Sequence, residues 1–131
     1  MREFFLRILF LGLLMAALNV FLMAQGDSEA AKMKNPVAAT PESINAGQQL
    51  YQRHCASCHG KNGQGGSGND LIPAAPSLIG TAWKHGSSDG EIFKTIKEGV
   101  APDFNMTPWG DQLKDQDIWN IINYVRSLAK K

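Results

Sequence analysis

Cys55-Ala56-Ser57-Cys58-His59 is the stretch on which the reading of this chain turns. Its two cysteines are the only ones in 131 residues. A disulfide between them would close a tiny loop and remove little entropy from the unfolded chain, so a structural bridge explains them poorly. A zinc centre needs about four ligands. The remaining histidines, His54 and His85, do not form a second pair at finger-like spacing. A thioredoxin-type redox pair expects a βαβ context, which the flanking sequence does not provide.

The pattern that remains is C-x-x-C-H, a c-type haem attachment site. On one helical turn the two sulfurs reach the two vinyl-derived carbons on one edge of a porphyrin. The next side chain, His59, then points its imidazole at the iron. The expectation is one haem c, covalently bound through Cys55 and Cys58, with His59 as an axial ligand. The sixth position is open to a methionine, a histidine or no protein ligand. Beyond residue 40 the only methionine is Met106, 47 residues after His59, in the loop Met106-Thr107-Pro108-Trp109. A loop methionine is often a gap-filler, but beside a haem its soft, neutral thioether favours reduced iron. His85, in Lys84-His85-Gly86-Ser87, is a rival. His54 is another, poorly placed to reach the opposite haem face from the helix that carries Cys55.

The surrounding sequence reads as helices separated by long loops. Thr40 can cap a helix with Pro41 at its first position, and Ile44, Gly47, Leu50, Tyr51 and His54 recur at helical spacing. Gly47 costs that helix about 1 kcal/mol relative to alanine; it is either tolerated or lets another backbone approach. From Gly60 to Gly86 there is no period, only loop chemistry such as GKNGQGGSGND and IPAAPSLIG. So long an irregular stretch is unusual in a compact domain and suggests wrapping around something other than protein. Ser88-Asp89-Gly90-Glu91 matches a capping box, and Gly99 can end the helix that follows. A last helix begins near Asp115 and carries the stripe Ile118, Ile121, Ile122, Val125 and Leu128. The fold class is all-α, with three to five short helices around one haem and no convincing strand.

The first residues belong to a different regime. Arg2 and Arg7 precede a 17-residue apolar run, residues 8–24. That is long for a signal core and at the short limit for a membrane span. Residues 1–24 are therefore a signal peptide or an N-terminal anchor, with membrane attachment through residues 8–24 in the second case. Residues 25–40 read as a flexible linker and residues 41–131 as the globular domain. Residues 1–24 contain Arg2, Arg7 and Glu3; without them the 13 basic and 12 acidic residues balance at 11 each. A neutral domain argues against nucleic acid, whose phosphates need a basic surface.

Residues 41–130 resemble the class I cytochrome c family. Gly47, Tyr51 and Cys55 stand at the family's glycine–aromatic–cysteine spacing, and Ile121 and Tyr124 match its last helix. The resemblance implies that the glycine lets the first helix cross closely over the last. Pro76-Ser77-Leu78-Ile79-Gly80 is similar to the family's Pro-x-Leu-x-Gly stretch. By that likeness, the Pro76 carbonyl accepts the second ring hydrogen of His59 and Leu78 packs on the haem. Met106 with Pro108 is similar to the ligand loop of bacterial members. Lys114 departs from the usual serine or threonine cap, leaving that helix start open to fraying. Trp109 replaces a frequent phenylalanine.

The expected function is electron transfer by a His/Met-ligated monohaem cytochrome, in the periplasm or otherwise outside the cytoplasm. Its partners would be redox proteins: a membrane oxidase, a cytochrome complex or a periplasmic dehydrogenase. One alternative is a haem-containing subunit of an oxidase or dehydrogenase complex. Another is a haem enzyme or gas sensor with an open sixth site, against which Met106 stands. A fusion of residues 1–40 to a reporter active only outside the cytoplasm is expected to be active. An expressed but silent reporter contradicts export.

Overall fold

The computed structural model describes residues 29–66, 72–80 and 83–129. The apolar run 8–24 and the start of the linker lie outside the described residues. Four helices with defined ends follow one another: α1 (Pro41–His54), α2 (Ala56–His59), α3 (Asp89–Glu98) and α4 (Asp115–Leu128). A further helical turn covers residues 29–32, and no strand occurs among the described residues. No helix among them is long and apolar enough to cross a membrane.

Local chemistry sets the ends. The Thr40 hydroxyl accepts from the Ser43 N–H at 3.2 Å, with Pro41 beginning α1. Ser88 and Glu91 close a reciprocal capping box on α3, which stops at Gly99. The fraying expected at Lys114 is countered from inside α4. The Asp117 carboxylate accepts the Lys114 N–H at 3.1 Å, and Lys97 reaches Asp115 at 2.7 Å. Two anionic side chains thus occupy the positive end of that helix.

The core forms where α1 crosses α4. At Gly47 a methyl group would overlap the Asn120 carbonyl, so the two backbones are in direct contact. Tyr51, Ile118, Ile121 and Ile122 are fully buried around the crossing. The Tyr51 and Tyr124 rings lie 5.1 Å apart in a tilted arrangement, and Phe93 of α3 stacks on Trp119 at 4.1 Å. Such pairs add about 0.5–1.5 kcal/mol beyond their buried area.

The expectation of a flexible linker does not describe residues 30–38. Ala30 is buried, and its carbonyl and the Met33 side chain pack onto Gly90, where any larger residue would intrude. Asn35 donates to the Trp119 carbonyl at 3.1 Å and to the Asn123 side-chain oxygen at 2.9 Å. Asn123, itself buried, donates to the Val37 carbonyl at 3.1 Å and to Ser43 Oγ at 2.8 Å. Ser43 in turn donates to Asn120 Oδ1 at 2.7 Å. The segment is a polar strap across α4. Its composition reads as a tether because side-chain hydrogen bonds, rather than an apolar period, hold it.

Two outcomes follow from this packing. Gly47→Ala gains about 1 kcal/mol of helix propensity but forces the helices apart. The net loss in urea denaturation is expected to be about 1–3 kcal/mol, and an unchanged midpoint would contradict the close crossing. Asn123→Ala strands the partners of a buried amide and is expected to destabilise by about 1–3 kcal/mol. Limited proteolysis should then cut residues 29–39 faster than in the parent protein.

Candidate functional site

The turn that carries the chemistry hangs from the end of α1. The Cys55 and His59 N–H groups bond back to the Tyr51 and Cys55 carbonyls, both at 2.9 Å. The Tyr51 hydroxyl, anchored in the α1–α4 core, donates to the Gly60 carbonyl at 2.8 Å. The core crossing thereby sets the position of residues 55–60.

His59 is buried, at 9% exposure. Its Nδ1 lies 3.1 Å from the Pro76 carbonyl. A carbonyl can only accept, so Nδ1 carries the hydrogen and the lone pair sits on Nε2. Burial lowers the pKa of the ring, against a smaller opposing effect of the Pro76 bond. Both the tautomer and the neutral state are those a metal-binding imidazole needs.

The loop segments beneath His59 are locked to each other. Gly65 N–H bonds the His59 carbonyl at 2.8 Å, Gly66 N–H the Ala75 carbonyl at 2.9 Å and Leu78 N–H the Gly63 carbonyl at 2.7 Å. Ser77 Oγ donates to Gly63 at 3.3 Å. These bonds hold Pro76 under the ring and place Leu78, half-buried, at the edge of the core. Gly63, Gly65 and Ser77 were not legible as site residues. The glycine run marks a loop without saying which carbonyls it bonds.

Cys55 and Cys58 are not bridged to each other, and the Ser57 hydroxyl points at the Cys58 sulfur at 3.8 Å. Burial, with the neighbouring Cys58 second, pushes the Cys55 thiol up to about 12. Redox-active cysteines are commonly thiolates with lowered pKa values, and burial shifts Cys55 the other way.

Met106 enters from another segment. Its backbone carbonyl accepts from Val100 N–H at 2.9 Å, and its side chain is half-buried against the core cluster. Within the same loop, Asn105 Nδ2 reaches the Ile72 carbonyl at 3.4 Å, tying it to the segment before Pro76. The structure thus joins His59 to Pro76 directly and Leu78 through Gly63. Met106 is brought to the same core from the end of α3. His85 lines a cleft of about 420 Å³ beside α3 with Lys84, Lys94 and Glu98. His54 sits against Trp109, ring centroids 5.2 Å apart.

The residues present fit a haem. Two unbridged sulfurs three positions apart stand next to an imidazole whose Nδ1 is committed. Ile72, Ile79 and Phe104, in the loops that bear Pro76 and Met106, expose apolar surface of the kind a flat macrocycle would cover. Among the described residues no cluster of three or more His, Cys, Asp or Glu could hold a bare metal ion.

Comparison with known proteins agrees with this chemistry. The family model described as cytochrome c oxidase, cbb3-type, subunit III matches residues 42–125, well over half of the chain. The chain is 33% identical over 83 residues to the cbb3-type cytochrome c oxidase subunit CcoP of Azospirillum brasilense, covering 63% of this chain and 28% of that one. It is 33% identical over 95 residues to subunit FixP of Sinorhizobium medicae, covering 67% and 31%. A quinohemoprotein alcohol dehydrogenase of Pseudomonas putida, ADH IIB, is 28% identical over 104 residues, covering 79% of this chain and 14% of that one. The chain therefore spans less than a third of the length of these relatives. Among solved structures, a chain of the reducing HAO-like protein complex of Kuenenia stuttgartiensis superposes with a TM-score of 0.62 at 24% identity, covering 71% of this chain and 46% of that one. That likeness concerns the fold. From its C-x-x-C-H turn, its helix crossing and these matches, the chain belongs to the family of cbb3-type cytochrome c oxidase subunit III and is a class I c-type cytochrome.

Proposed function

We propose that this chain is a single-haem electron-transfer module that works as a fixed part of a respiratory complex, with a membrane oxidase the favoured setting. Cys55 and Cys58 hold the haem covalently, and His59 and Met106 are its axial ligands. The observation that carries this reading is the buried His59, its Nδ1 bound to Pro76 at 3.1 Å beside two unbridged cysteines. Bound haem c supplies reversible one-electron exchange between ferric and ferrous iron. The chain's own contribution is positional and electrostatic. The Pro76 bond fixes the imidazole plane and raises its basicity, Leu78 supplies apolar cover, and the Met106 thioether favours the ferrous state.

The relatives favour a module of a complex over a freely diffusing shuttle. The subunits CcoP and FixP are named as parts of an oxidase, and the chain matches a portion of each. The likeness to ADH IIB leaves a dehydrogenase as the second setting. In either case the work lies outside the cytoplasm. An enzyme or gas sensor needs an open sixth site, which Met106 at the edge of the core disfavours.

Optical spectra of the oxidised and reduced protein test the ligands. The haem should stay with the polypeptide through acid-acetone extraction, and the oxidised form should show the weak sulfur-to-iron charge-transfer band in the far red. Met106→Ala is expected to abolish the band, lower the reduction potential and admit carbon monoxide to ferrous iron. Met33→Ala, on the strap, should change none of these. A Met106→Ala protein that kept the band would move the ligand elsewhere, with His85 next to be replaced.

A further inference from the structure

The attachment turn and the Met106 loop belong to different parts of the chain, and an axial ligand on a loop binds only as well as the loop is held. On one side the hold is clear. Val100 N–H bonds the Met106 carbonyl at 2.9 Å, Trp109 N–H the Ile96 carbonyl at 3.0 Å and Gly110 N–H the Lys97 carbonyl at 3.1 Å. The end of α3 therefore carries the loop from behind. On the other side stands His54, the last residue of α1 and the neighbour of Cys55. Its ring meets the Trp109 indole edge-on, centroids 5.2 Å apart and planes at 67°, and Trp109 follows Met106 by three residues. Both side chains are half-buried.

We propose that His54 is a positioning residue for Met106, clamping the ligand loop to the haem-attachment helix through its ring contact with Trp109. The proposal rests on the reading of Met106 as the axial ligand. His54 then has a role that explains a half-buried histidine one position before the first haem cysteine, without itself binding iron. The clamp acts on the opening of the loop, the motion by which the Met106 sulfur leaves iron. Losing one aromatic pair should raise that opening by about threefold to tenfold.

The test uses the full chain carrying its haem, as wild type, His54→Ala, His54→Phe and His54→Leu. The far-red charge-transfer band is recorded first, then the rate at which ferric iron binds cyanide, which requires the sulfur to leave. The band should be present in all four. Cyanide should bind about threefold to tenfold faster to His54→Ala and His54→Leu, while His54→Phe, which restores a ring edge, should bind it at the wild-type rate. Far-UV melting separates this from a general loss of stability, because a merely structural role would move melting in step with cyanide binding in all three variants. His54→Leu keeps the side-chain volume, so it decides the matter if His54→Ala fails to fold. Equal cyanide rates across the series, with the band present in the wild type, overturn the clamp and leave Met106 as ligand. A wild type without the band overturns Met106 as ligand, and the clamp with it.

Discussion

The direct backbone contact of α1 with α4 at Gly47 and Asn120 is the constraint on which the site depends. Helices normally pack 8–10 Å apart, with side chains between them. A glycine at the crossing removes that layer and lets Tyr51, one turn on, sink fully into the core. From there its hydroxyl reaches the Gly60 carbonyl and ties the end of the Cys55–His59 turn to the core. The placement of Cys55, Cys58 and His59 thus follows from a missing side chain at Gly47, eight residues before the first of them.

The chemistry of the site is one of neutrality under burial. Burial disfavours the charged forms of both Cys55 and His59, and the His59 Nδ1 is committed to the Pro76 carbonyl. Charged ligands would have to overcome desolvation at the same positions. The imidazole and the methionine sulfur proposed as ligands are neutral donors, so in that reading the protein would surround a redox change of one unit with groups that add no charge of their own.

Most of this architecture is legible in the residues because it rests on local rules. Thr40-Pro41 and Ser88–Glu91 are caps whose partners lie within three positions, and they begin helices where the pattern says they should. Cys55 to His59 is a local spacing as well. What sequence alone leaves hidden is held by bonds between distant polar side chains. Asn35 and Asn123 are 88 residues apart and carry no periodic signal, so the strap over residues 30–38 reads as loose chain. The same holds for Gly63, whose carbonyl accepts from Ser77 and Leu78 only because an aperiodic loop folds back. At Lys114 the residue type misleads, because the cap comes from Asp117 inside the helix.

The strap has a consequence for geometry outside the domain. A chain free from residue 25 to Pro41 could carry the domain about 60 Å from the end of the apolar run. With Ala30 already seated on α3, the stretch from Ala30 to Thr40 no longer contributes to that reach, which takes about 40 Å away from it. In an arrangement that held residues 8–24 in a bilayer, that loss of reach would confine the domain to a smaller volume and raise its effective concentration toward a neighbour in the same membrane. Asn35, Asn123 and Gly90 are the residues that shorten the reach of the domain.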